Sequence, residues 1–104
     1  MDEIESMIKS KGLNAPRVTP ADIDAAITTV TYTMLPSGKV MVCEITLRNG
    51  FTVRGEASTV SPENFDEEIG RSISFRNARD AIWQLEGYLL QESLYLAKLN
   101  SRYS

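Results

Sequence analysis

Histidine is missing from this 104-residue chain, and cysteine occurs once, as Cys43. Zinc sites built on imidazole, serine–histidine–acid triads and cysteine–histidine pairs therefore cannot be assembled, and one thiol cannot close an internal disulfide. Cys43 alternates with apolar neighbours, so it reads as a small buried hydrophobe. No serine or threonine stands in a nucleophile-elbow context. Two acidic pairs, Glu67 with Glu68 and Asp80 with Glu86, have no nucleophile or metal ligand at a fixed distance and read as helix-dipole and solvated-face residues. The expectation is a protein that is not an enzyme, with no catalytic residue, no metal and no cofactor.

Long apolar runs and positive charge are also in short supply. Nothing approaches the roughly 20 residues of a membrane span, and the acidic Asp2, Glu3 and Glu5 are the opposite of a basic signal-peptide start. The chain is expected to act in the cytoplasm, without a membrane. Eleven Lys and Arg against 14 Asp and Glu leave a net charge of −3, which argues against a surface that wraps duplex nucleic acid, because phosphate neutralisation supplies most of that affinity. One small arginine-lined pocket remains compatible with this balance.

What is present, 42% hydrophobic and 24% charged residues, is the composition of an ordinary globular protein. Residues 1–104 are expected to form a single domain, small enough for oligomerisation to help it materially. Its organising unit lies at 41–90. Met41, Cys43, Ile45 and Leu47 alternate before Arg48-Asn49-Gly50, and Phe51, Val53, Gly55 and Ala57 alternate after it. A two-residue loop would set Ile45 opposite Arg54 and mix the faces of the sheet. A three-residue loop pairs Ile45 with Val53, puts Glu44 across from Arg54 on a partly wet face, and places Gly50 at positive φ.

Upstream, Ile4, Met7 and Ile8 give a short, loosely attached helix within 1–15 that stops at Gly12. Thr19-Pro20-Ala21-Asp22 caps and starts a second helix, with Ile23, Ala26 and Ile27 apolar, that ends near Thr28. Val30, Tyr32 and Met34 alternate in a strand, and the Pro36–Lys39 turn sets them against Ile45, Cys43 and Met41. The fold class is therefore α+β: two short N-terminal helices, a three-stranded antiparallel meander over about 28–35, 39–47 and 51–60, then one long helix over about 62–99. Ser61 or an Asn64–Glu67 pair would cap that helix. Gly70 and Gly87 are the two places where it could break, although close packing is the preferred reading of Gly70.

The long helix carries two apolar seams. Phe75, Ala78, Ile82, Leu85 and Leu89 form one, resuming at Leu96 and Leu99; Trp83, Gly87, Leu90, Leu94 and Ala97 form the other, about a hundred degrees around the axis. A three-stranded sheet covers one seam, and the short N-terminal helices are too little for the second. A homo-oligomer with Trp83, Gly87, Leu90 and Leu94 in its interface is the simplest supplier; a kink at Gly87 that folds the chain back on itself is the alternative.

The stretches LRNGFTVRGEA, ENFDEEIG and NARDAIWQLEGYLL, preceded by RVTPADIDAAI, resemble the phage gene-49-like family of small tailed-phage and prophage proteins. The similarity covers roughly residues 16–95, so the first fifteen and last nine lie outside it. The resemblance implies a phage or prophage origin and a compact accessory protein, for which the expected cytoplasm is that of the host cell, and it carries over no enzymatic activity, cofactor or catalytic residue.

Arg71 has Glu67 and Arg76 has Asp80 four residues away, and Arg54 has Glu44 across the strand, all weak surface pairs. Arg79 has only Phe75, Arg76, Ile82 and Trp83 around it on the helix, so it either decorates Trp83 or forms one side of an anion site. Two binding readings follow. In one, the two-seamed helix is a surface that binds a host or phage protein. In the other, Arg79, Arg76, Trp83 and Phe51 of an oligomer grip a phosphate-bearing nucleotide, such as a signal of host antiphage defence. The helix stripe is the broader basis, and it favours the first.

Overall fold

The computed structural model describes residues 2–103, and its sheet forms in the register that the apolar alternation demands. Helices α1 (Asp2–Ser10) and α2 (Pro20–Ala26) precede strands β1 (Ile27–Met34), β2 (Val40–Leu47) and β3 (Thr52–Ser58), and a 3-10 turn at Pro62–Asn64 leads into helix α3 (Glu67–Tyr103). The sheet is antiparallel in the order β1-β2-β3. Ile45 pairs with Val53 and Glu44 with Arg54, while Val30, Tyr32 and Met34 face Ile45, Cys43 and Met41. The three-residue loop closes with Leu47 N–H donating to the Phe51 carbonyl at 2.8 Å. Gly50 sits at φ 91°, a region where a Cβ would cost about 1 kcal/mol or more.

Each predicted element is present with shifted ends. Thr19 and Asp22 form a reciprocal capping box on α2, but that helix stops at Ala26 because the chain turns straight into β1. A bulge at Thr28 follows, its hydroxyl donating to the Thr46 carbonyl at 2.9 Å. The start of α3 moves from 62 to Glu67. Ser61 makes no capping hydrogen bond with its side chain; Asp66 instead accepts from Ile69 N–H at 3.0 Å. Phe65 explains the delay, since its ring lies where a Cβ on Gly70 would stand, 2.6 Å from that position. The Pro62–Asn64 turn and extended residues after it bring the ring there.

The core lies between one face of the sheet and the first half of α3. Cys43, Ile45, Leu47 and Val53 from the sheet meet Ala78 and Ile82 of α3, with Ile23 and Ala26 of α2 closing one side. Gly70, Ser74, Ala78 and Ile82 are all buried and spaced four apart, so they form one ridge along α3. Its small members allow unusually close approach. A Cβ at Gly55 would lie 2.1 Å from the Ala78 backbone nitrogen, so the glycine is required by helix backbone touching sheet backbone. Beside it, Asn77 donates its side-chain amide to the Glu56 carbonyl at 2.9 Å, tying helix to strand.

Helix α3 runs unbroken past Gly70 and Gly87, so the fold-back alternative does not occur. At 1.5 Å per residue its 37 residues span about 55 Å, roughly twice the ~25 Å of a seven- or eight-residue strand. The second half of the helix therefore extends beyond the sheet, and the molecule measures 62 × 33 × 20 Å.

Candidate functional site

Arg79 is not the unpartnered arginine that its helix neighbours implied. Its Nε and one terminal nitrogen donate to Asp24 Oδ1 at 3.1 and 3.0 Å, and the same terminal nitrogen reaches the Pro20 carbonyl at 3.4 Å. The side chain is only 18% exposed, so it ties α3 to α2. This corrects the reason for placing an anion there: the acid comes from α2, 55 residues upstream, where helix spacing cannot reveal it. Arg76 is exposed, and among the described residues no ion pair joins it to Asp80. The expected pairs of Arg71 with Glu67 and Arg54 with Glu44 are both present at 3.6 Å.

Trp83 is half-buried and packs on the core, its indole nitrogen buried without a hydrogen-bond partner. Phe51, by contrast, is exposed beside the β2–β3 turn. It lines a cleft of about 240 Å³ with Leu47, Arg48, Leu85, Glu86, Tyr88 and Leu89. The four residues first grouped as a ligand site thus fall into separate surroundings: Arg79 in the α2–α3 contact, Arg76 in solvent, Trp83 on the core and Phe51 at the turn.

On the other side of Arg48 and Glu86 lies a second cleft, of about 420 Å³, between α2 and α3. Arg17, Asp22 and Ala25 line it from one side and Leu89, Leu90 and Ser93 from the other. The Arg48–Glu86 ion pair, 3.7 Å apart, separates the two clefts. Neither residue was singled out as part of a site by sequence reasoning, since one sits in a turn and the other on a helix far along the chain. Arg17 grips Glu5 of α1 with one terminal nitrogen, while its Nε is buried without a partner.

Of the residues expected in an oligomer interface, Trp83, Gly87 and Leu90 are half-buried within the chain and Leu94 is 42% exposed. Around it the second half of α3 leaves Tyr88 at 70%, Leu89 at 45%, Tyr95 at 54% and Leu96 at 50% exposure. These side chains point in different directions around the axis, with Gln91, Glu92, Ser93 and Lys98 among them, so several large apolar groups are exposed without forming one continuous face.

The one thiol offers no reactive site. Burial pushes the Cys43 pKa up, partly offset by its hydrogen bond with Tyr32, and burial with the neighbouring Cys43 raises that of Tyr32. Both groups are held neutral, so neither is an activated nucleophile. Among the described residues no cluster of acids and cysteine could hold a metal, and no helix is long and apolar enough to cross a membrane.

Residues 18–94 match the family model described as Phage protein (N4 Gp49/phage Sf6 gene 66) family. A comparison with curated proteins and one with solved structures found no match.

Proposed function

Because the chain belongs to the Phage protein (N4 Gp49/phage Sf6 gene 66) family, we propose that it is a small phage or prophage accessory protein that acts by non-catalytic binding, as an oligomeric module engaging a host or phage protein in the cytoplasm. One observation carries the reading: large apolar side chains crowd the half of α3 that extends beyond the sheet. Desolvating such a helix on a protein surface is the strongest driving force the molecule offers. Sedimentation at tens of micromolar tests it. The protein should run larger than its 11.6 kDa chain, and Leu90→Glu with Leu94→Glu should return it to a folded monomer; a monomeric unmodified protein contradicts the oligomeric part.

A second reading, an oligomeric pocket that sequesters a phosphate-bearing nucleotide of host antiphage defence, draws support from the cleft that Arg48 and Phe51 share. A guanidinium for phosphate and an exposed ring for a base are the elements it needs. Calorimetry against a panel of linear and cyclic nucleotides separates the readings: heat that vanishes in Arg48→Ala favours the pocket, and no heat with any nucleotide favours protein binding.

A further inference from the structure

The two margins of the sheet are finished differently. Leu35 N–H donates to the Val40 carbonyl at 2.9 Å, and the register of β1 on β2 continues from there. The backbone groups of Thr29, Thr31 and Thr33 therefore point into the sheet, and those of Val30, Tyr32 and Met34 point out of it. On β3 the Leu47–Phe51 bond turns Arg54 and Glu56 outward by the same parity. That margin carries two charges, and Asn77 of α3 already donates to the Glu56 carbonyl. Residues 25–38, by contrast, hold no charged side chain. Among the described residues no side chain bonds the outward groups of Val30, Tyr32 or Met34. Helix α3 lies over β3 and β2, and Tyr32 and Met34 stay exposed although they stand on the core face. A bulge at Thr28 and the turn at Pro36 bracket this margin. Between them runs a free, neutral strand edge of the kind that folded proteins blunt with charge or cover with another strand.

From this open edge we infer that β1 pairs with β1 of a second copy, antiparallel about a two-fold axis that passes through Tyr32 at right angles to the sheet. The inference rests on the oligomeric reading above, since so short a strand pair is too little to hold two copies unaided, and it gives the oligomer a contact separate from α3. The strand itself selects a second copy as its occupant. About Tyr32, Val30 of each copy meets Met34 of the other and Tyr32 meets Tyr32, so every outward N–H has a carbonyl opposite it. Apolar side chains of both copies then adjoin on the core face, and Thr31 stands opposite Thr33 on the wet face. No like charges meet, because the stretch has none. An axis at Thr31 would run Met34 into the Thr28 bulge, and one at Thr33 would set Val30 against Pro36, which has no N–H. A two-fold along the strand would make the pair parallel and put the apolar face of one copy beside the threonine face of the other.

Cysteine cross-linking reads the register, and amide exchange reads the pairing. Thr31 and Thr33 are exposed, and across the two-fold they form non-hydrogen-bonded pairs with Cα atoms about 4.5 Å apart, within disulfide reach. Cys43 is fully buried, so the unmodified protein is the blank. Under mild oxidation at tens of micromolar, an equal mixture of Thr31→Cys and Thr33→Cys should give a dimer band several-fold stronger than either variant alone. Bands from the single variants with no excess in the mixture would place the axis at another residue and overturn the inference. In the unmodified protein the amides of Val30, Tyr32 and Met34 should exchange about tenfold more slowly when assembled than after dilution to single chains. Equal rates in a protein that still sediments as an oligomer overturn the inference, leaving the edge to a strand of another protein while sparing the oligomeric reading. A protein that sediments as a monomer removes both. Circular dichroism on each variant ensures that the bands come from folded chains.

Discussion

Residues 67–86 and 87–103 belong to one helix, yet they meet opposite surroundings. In the first stretch a ridge of Gly70, Ser74, Ala78 and Ile82 is buried against the sheet, close enough for backbone to meet backbone at Gly55. In the second, leucines and tyrosines stand in the open, and a Cβ on Gly87 would meet nothing within 4 Å. Small residues form most of the ridge that meets the sheet, and large apolar residues past it are left without a cover. The difference indicates two tasks for a single element: the first half completes the fold, and the second presents what the fold leaves over.

If that division is right, substitutions in the first half should cost stability and those in the second should cost association. The largest loss is expected for Ile82→Ala, at about 3 kcal/mol from transfer and cavity terms, read as a shift of the urea midpoint at unchanged slope. Gly55→Ala should follow at about 2 kcal/mol, because the new methyl has to push α3 away from β3; an unshifted midpoint would mean that helix and strand are not in backbone contact.

Arg79→Ala should cost about 1 kcal/mol through loss of the Asp24 pair and stem packing, with Asp24→Ala giving a similar, non-additive loss in a double-mutant cycle. Strict additivity would show that the pair is not formed in solution. The Arg79→Ala variant should keep whatever ligand or partner affinity the protein has, since its guanidinium is engaged inside the fold.

The smallest effect concerns pH. A thiol whose pKa is raised by folding contributes stability that is complete below its unfolded pKa, about 8.5, and is lost as pH rises through the folded value. Melting temperature should therefore hold from neutral pH to about 8 and decline toward pH 10, with the decline shallower in Cys43→Ala. A decline of equal steepness in that variant would assign it to other groups, Tyr32 among them.

Sheet register was legible in the sequence because period-two alternation and loop length each constrain it, and only one pairing satisfied both. The continuity of α3 was not, because Gly70 and Gly87 carry the same local signal while the first is explained only by the Phe65 ring packed on it. Gly55 was placed on the apolar face without its role being visible; a glycine inside a strand was the available sign of close backbone approach. The candidate site was the least legible part. Asp24 with Arg79 and Arg48 with Glu86 join residues far apart in sequence, and helix spacing sees only local pairs. Phe51 entered a cleft with Arg48 rather than with Arg79 for the same reason. The apolar excess at the end of α3 needed no long-range contact to be seen, but its partition did: Leu89 and Leu96, of the seam assigned to the sheet, are exposed, while Trp83, Gly87 and Leu90 of the other seam are half-buried.

The central claim, that the two halves of α3 serve different ends, is tested most directly by Leu94→Glu, compared with the unmodified protein in sedimentation at tens of micromolar and in urea unfolding at one low concentration where any assembly has dissociated. Stability of the dissociated chain should stay within about 0.5 kcal/mol, as for an exposed position, while the assembly expected of the unmodified protein at tens of micromolar is lost in the variant. A variant that unfolds at markedly lower urea while still assembling would contradict it.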